Sequence, residues 1–139
     1  MCKRLSFDLR STRDSINRAA VMLSDFFDKQ GLSDDVTFDI KLATQEAVVN
    51  AAEHGNHYDG GKWVHICCET SDSAVTVTVC DEGPGFDPRC VPDPTLPENI
   101  FREGGRGVFL MRNLCDDVCF NDKGNQVTIV KKIAKNEQT

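Results

Sequence analysis

Two runs of strict alternation constrain this chain more than any other feature. Residues 63–70 (WVHICCET) and 74–80 (AVTVTVC) alternate inward and outward positions and flank a Ser-Asp-Ser turn. A period of two belongs to a strand with one buried face, so the pair predicts an antiparallel hairpin. Val75, Val77 and Val79 then face one way, and Thr76, Thr78 and Cys80 the other. A sheet with one apolar face must be covered, and two helical patterns are available to cover it. Ser11 followed by Asp14 resembles a capping box, after which Ile16, Ala19, Ala20, Leu23, Phe26 and Phe27 recur at helical spacing until Gly31 stops the run. Ser33 with Asp34 and Asp35 opens a second helix through Ile40, Ala43, Ala47 and Ala51 to about His54, ended by Gly55.

The remaining elements are a short strand over 3–9, a helix over 106–114 with Val108, Met111 and Leu114 inward, and strands near 117–121 and 126–133 joined by a turn. The order strand, helix, helix, two strands, loop, helix, two strands predicts an α+β two-layer sandwich, with the helices on one face of a mixed, mostly antiparallel sheet. At 139 residues the chain is expected to be one domain. Residues 81–105 hold four glycines and all five prolines, an irregular loop whose length points to function.

Composition narrows the partners. With 16 basic and 22 acidic residues the net charge is −6, which argues against nucleic acid or an anionic membrane as main partner. No apolar run approaches the ~18 residues of a membrane span. The start, MCKRLSFDLR, has no apolar stretch after its basic residues, so a cytoplasmic location is expected. Seven cysteines leave at least one unpaired, and reduced thiols acting as small apolar fillers are expected. The spacing of Cys115 and Cys119 does not suit a zinc knuckle.

Three clusters carry chemistry. Glu46, Asn50 and His54 lie within QEAVVNAAEHGN. Steps of four residues keep all three within about 80° of one helix face. Polar groups in line on an alanine-rich helix need partners, and an Asn carboxamide oxygen is a hard donor suited to Mg²⁺. The second cluster is Asp81-Glu82-Gly83-Pro84-Gly85-Phe86 at a strand end, where Asp81 is placed to accept from an exocyclic amine such as that of adenine. The third is Gly104-Gly105-Arg106-Gly107 opening a helix, where freed N–H groups and the helix dipole suit an anion. Taken singly, each has a plainer explanation: an exposed helix edge, a Gly-Pro turn, a loop end.

Together, EAVVNAAEHG (46–55), DEGPGF (81–86) and GGRGVFLMRNLCDDV (104–118) resemble the Bergerat-fold ATPases, and more closely the bacterial anti-sigma factor serine kinases. The resemblance covers about residues 5 to 133. It implies ATP and Mg²⁺ as cofactors, with Asn50 as metal ligand and Glu46 as general base toward a protein serine. It implies that Asp81 reads adenine, that Gly83 and Gly85 let the loop approach the nucleotide, and that Gly104, Gly105 and Gly107 serve the phosphates. Arg106 or Arg102 would stabilise transferring charge, and residues 84–104 would form a lid. Family members often hold the adenine-reading acid with a threonine after a glycine; here the stretch is Gly124-Asn125-Gln126-Val127-Thr128, a departure in which either Asn125 substitutes or Thr128 is the wrong residue. The implied function is a protein-serine kinase of a partner-switching pathway. It would phosphorylate an anti-sigma factor antagonist of STAS type, bind a sigma factor and form a homodimer. The alternatives are an ATP/ADP-binding switch with little transfer, or the same kinase in a non-sigma pathway.

Overall fold

In a computed structural model that describes residues 3–85 and 105–133, five strands form one sheet in the order β1-β2-β3-β5-β4. The strands are β1 (Arg4–Arg10), β2 (Trp63–Thr70), β3 (Ala74–Asp81), β4 (Asp117–Phe120) and β5 (Gln126–Lys132). The helices are α1 (Arg13–Asp28), α2 (Asp34–Val49) and α3 (Gly105–Leu114). Every pairing among these strands is antiparallel, so the sheet is not the mixed one expected; the α+β two-layer arrangement itself is as expected.

The hairpin forms as the alternation requires. Val64, Ile66 and Cys68 of β2 and Val75, Val77 and Val79 of β3 are buried on one face, joined there by Val127 and Ile129 of β5. The opposite face is mostly polar, with Thr78 opposite Thr128 and Cys67 opposite Thr78, and Arg10 lying over the Trp63 ring. Against the apolar face α1 packs Ile16, Ala19, Leu23, Phe26 and Phe27, α2 packs Ile40, Ala43, Ala47 and Val48, and α3 packs Val108 and Met111. Fully burying side chains such as Phe27 and Ile40 contributes roughly 1.5–3 kcal/mol each. Among the described residues, no helix is long and apolar enough to cross a membrane.

Two helix boundaries differ from the sequence pattern. The N-cap of α1 is Thr12, whose hydroxyl accepts from the Ser15 N–H at 3.2 Å. Ser11 is fully buried instead, donating to the Lys62 carbonyl at 3.0 Å. The second helix stops being α-helical at Val49, and Asn50–Gly55 is a π-helical segment. Ser33 caps α2 through Val36 N–H as expected, and Gly31, at φ 71°, takes the left-handed turn between α1 and α2. The five described cysteines are free thiols; burial pushes Cys68 up to about 12 and Cys115 up to about 11, which keeps them protonated and inert.

Candidate functional site

The π-helical segment Asn50–Gly55 is where the sequence clusters meet. Its signature is the Asn56 N–H, which reaches five residues back to the Ala51 carbonyl at 2.9 Å. Ala51 and Ala52 are buried, and such small side chains let the wider coil sit close to the sheet. Glu46 and Asn50 keep α-helical spacing, the Asn50 N–H bonding back to the Glu46 and Ala47 carbonyls. His54 lies within the π-helical segment that Asn50 opens. π segments of this kind recur at functional sites.

One end of the segment touches α3. The Asn50 carboxamide lies against the backbone of Gly107, in the first turn of that helix. A β-carbon at Gly107 would stand 2.7 Å from Asn50 Nδ2 and 3.0 Å from Oδ1, a space no side chain fits without displacing Asn50. A hard oxygen donor and the N-terminal turn of a helix are thus brought together, donor types that suit a divalent cation and an anion respectively.

The other end touches the central strand. Positions 75, 77, 79 and 81 of β3 share the inward face, so the strand's period carries Asp81 into the helical layer at its last residue. There its carboxylate lies against Gly55, and Oδ1 accepts the Gly83 N–H at 2.8 Å. Burial pushes the Asp81 carboxyl above its ordinary value, opposed by the Gly83 N–H and by Lys123 and Lys62. Gly83 itself is pressed on the Gly55 carbonyl, and Gly85, at φ 79°, on the Lys123 carbonyl. The close approaches at these two glycines are therefore to the protein's own backbone.

Two asparagines support this corner. Asn125 exchanges backbone and side-chain bonds with Asp81: the Asp81 N–H donates to the Asn125 carbonyl at 2.9 Å, and Asn125 Nδ2 donates to the Asp81 carbonyl at 3.3 Å. Thr128 meets Thr78 across the strands instead, at 3.5 Å, on the polar face of the sheet. Asn56 was not singled out by its sequence context, yet it is 1% exposed and fully engaged. Its Nδ2 donates to Ser11 Oγ at 2.8 Å and to the Trp63 carbonyl at 3.0 Å, while Oδ1 accepts the Glu82 N–H at 2.9 Å. The Glu82 carboxylate in turn accepts the Trp63 N–H.

Glu46 is half-buried one turn before Asn50. Gly105 begins α3. Gly104, Arg102, the side chain of Arg106 and residues 86–104 of the expected lid lie outside the described residues.

Residues 9–131 match the histidine kinase-like ATPase domain family. The chain is 30% identical to the serine-protein kinase RsbW of Staphylococcus epidermidis, over 93% of this chain and 86% of that one. It is 29% identical to the serine-protein kinase RsbW of Oceanobacillus iheyensis, over 86% and 80%. Its fold is similar to the crystal structure of the RsbU and RsbW domains of Rv1364c from Mycobacterium tuberculosis, with TM-score 0.61 and 19% identity, covering 94% of this chain. The chain spans 32% of that longer protein, about a third of it. The chain belongs to the histidine kinase-like ATPase family, in the branch of the RsbW serine-protein kinases.

Proposed function

We propose that the protein is an ATP-dependent protein-serine kinase of a partner-switching pathway. The observation that carries this is the meeting of Asn50 with Gly107 and of Asp81 with Gly55 and Gly83, both on one six-residue segment. In this reading a phosphate-and-metal end and a base-reading end share a common element. Asn50 and the Gly105–Gly107 turn would hold Mg²⁺ and phosphates; the ion, when bound, neutralises charge on the transferring phosphoryl group. Asp81 would accept the adenine amine, discriminating against a 6-oxo purine whose oxygen would face the carboxylate. Glu46, one turn from Asn50, would take the proton of the attacking serine hydroxyl. Arg106 would add positive charge near the phosphates.

The substrate in this reading is an anti-sigma factor antagonist of STAS type, and the second partner a sigma factor held by the kinase when the antagonist is phosphorylated. The kinase would act as a cytoplasmic homodimer. The names of the RsbW relatives support the serine kinase class. A thermal shift series with ATP, ADP and GTP, with and without Mg²⁺, tests the ligand. At 100 times its dissociation constant a ligand stabilises by about 2.7 kcal/mol. Stabilisation by adenine nucleotides that depends on Mg²⁺ is expected; equal shifts with GTP would overturn the Asp81 role. Phosphoserine on a candidate antagonist after incubation with Mg-ATP, read by mass spectrometry, tests the transfer.

A further inference from the structure

We infer that Asn56 is a positioning residue for base selectivity, its buried carboxamide fixing the Asp81-Glu82-Gly83 turn so that the Asp81 carboxylate is aimed at the base. The inference rests on the Asp81 reading proposed above and names the part of the fold that makes it selective.

The argument starts from hydrogen-bond capacity. A carboxamide has two donor hydrogens and an acceptor oxygen, and Asn56 spends both donors and the oxygen on three different parts of the chain. Ser11 lies between β1 and α1, Trp63 begins β2, and Glu82 follows β3. No one of these segments depends on Asn56 alone for its fold: β1, β2 and β3 are already paired through their backbones. What lacks a ladder partner is the turn after Asp81. Asn56 supplies it by accepting the Glu82 N–H, and Trp63 N–H grips the Glu82 carboxylate from the side. With Glu82 held at two points, the next amide, Gly83 N–H, is fixed on Asp81 Oδ1. The orientation of the carboxylate then follows from the turn and not from the ligand. A hydrogen bond to a base edge is sensitive to such orientation, since interactions weaken steeply off-axis.

Loss of a buried node lowers stability whatever its purpose, so the test must read selectivity. Dissociation constants for Mg-ATP and for the Mg²⁺ complex of purine riboside triphosphate, which lacks the 6-amino group, are measured by isothermal titration on the full chain. The unaltered protein is expected to favour ATP by roughly tenfold or more. Asn56→Ala should bring the two within about threefold of each other, because its effect falls on the one hydrogen bond that distinguishes them. Ser11→Ala removes a different partner of Asn56 and leaves the Glu82 bond, so it should lower the melting temperature and keep the wild-type ratio. An Asn56→Ala protein that melts early yet retains the full preference overturns the inference and leaves a structural role. A ratio near one in the unaltered protein instead removes the Asp81 reading, and the inference with it. Should Asn56→Ala fail to fold, amide exchange on the unaltered, nucleotide-free protein decides. Slow exchange at Glu82 supports the clamp, and exchange at the rate of an open loop refutes it.

Discussion

The Asp81 carboxylate and the Cα of Gly55 are in such close contact that a single added methyl group at position 55 would occupy the space of the carboxylate. Gly55→Ala is therefore expected to push Asp81 out of its place. Overpacking of a closed site costs about 1–3 kcal/mol, which urea unfolding will read. Adenine-nucleotide binding should weaken in the same variant; wild-type stability and affinity together would show that Asp81 is not held by this contact.

Asp81→Asn separates fold from recognition. Burial raises the Asp81 carboxyl above its ordinary value, so the native state binds its proton more tightly than the unfolded state does. That contribution is fully present below the unfolded-state value and is lost as pH rises through the folded one. At pH 7 the wild type thus bears a buried charge that the amide does not, and Asp81→Asn should melt no lower than wild type. Its advantage should shrink on acidification. Binding should move the other way: the Gly83 N–H takes the amide oxygen, leaving an NH₂ group to face the adenine amine. ATP affinity is expected to fall roughly ten- to a hundredfold, by isothermal titration, with the preference over 6-oxo purines lost. Wild-type adenine binding should also decline as the carboxylate protonates.

Glu46→Gln and Asn50→Ala test the two ends of transfer. Glu46→Gln should bind Mg-ATP as wild type does and lose phosphoserine formation by about 10²-fold or more, the usual range for general acid–base groups. Transfer at the parent rate would exclude Glu46 as base. Asn50→Ala should lose the Mg²⁺-dependent part of nucleotide affinity. Gly107→Ala should do the same without touching Asn50 chemically, because its methyl group displaces the carboxamide.

Lys131 ties α2 and the end of α3 to the sheet. Its ammonium sits 3.0 Å from Asp39 Oδ2 on α2 and donates at 2.8 Å to the Leu114 carbonyl at the end of α3. Both side chains are largely covered, at 19% and 28% exposed. Lys131→Met leaves the carboxylate and a helix-terminal carbonyl without this partner and should cost about 1–3 kcal/mol in urea unfolding. A loss under ~0.5 kcal/mol would place the pair among surface bridges of little weight.

The hairpin and the helical faces were legible in the sequence because each has its own period and each period has one buried side. The alternation through Val75, Val77 and Val79 even carried Asp81 to its inward position. The cap of α1 was misplaced by one residue because Ser11 and Thr12 are both competent caps, and only the fold reveals that Asn56 claims Ser11. The π-helical segment was hidden because NAAEHG is as compatible with an α-helix, and its contacts with Gly107 and Asp81 are long-range. The same reason hid Asn56, which in sequence is one more polar residue after a glycine. Strand order was also beyond reach: nothing local says that β5 inserts between β3 and β4, which makes every pairing antiparallel.

The widened coil of residues 50–55 has a consequence for how the site tolerates change. Asn50 and Gly55 meet their respective neighbours at this winding, and one residue more or fewer would swing Gly55 around the axis. Substitutions along the coil alter chemistry one atom group at a time. An insertion or deletion there would instead uncouple the two halves of the site, leaving each intact but aimed at a different ligand.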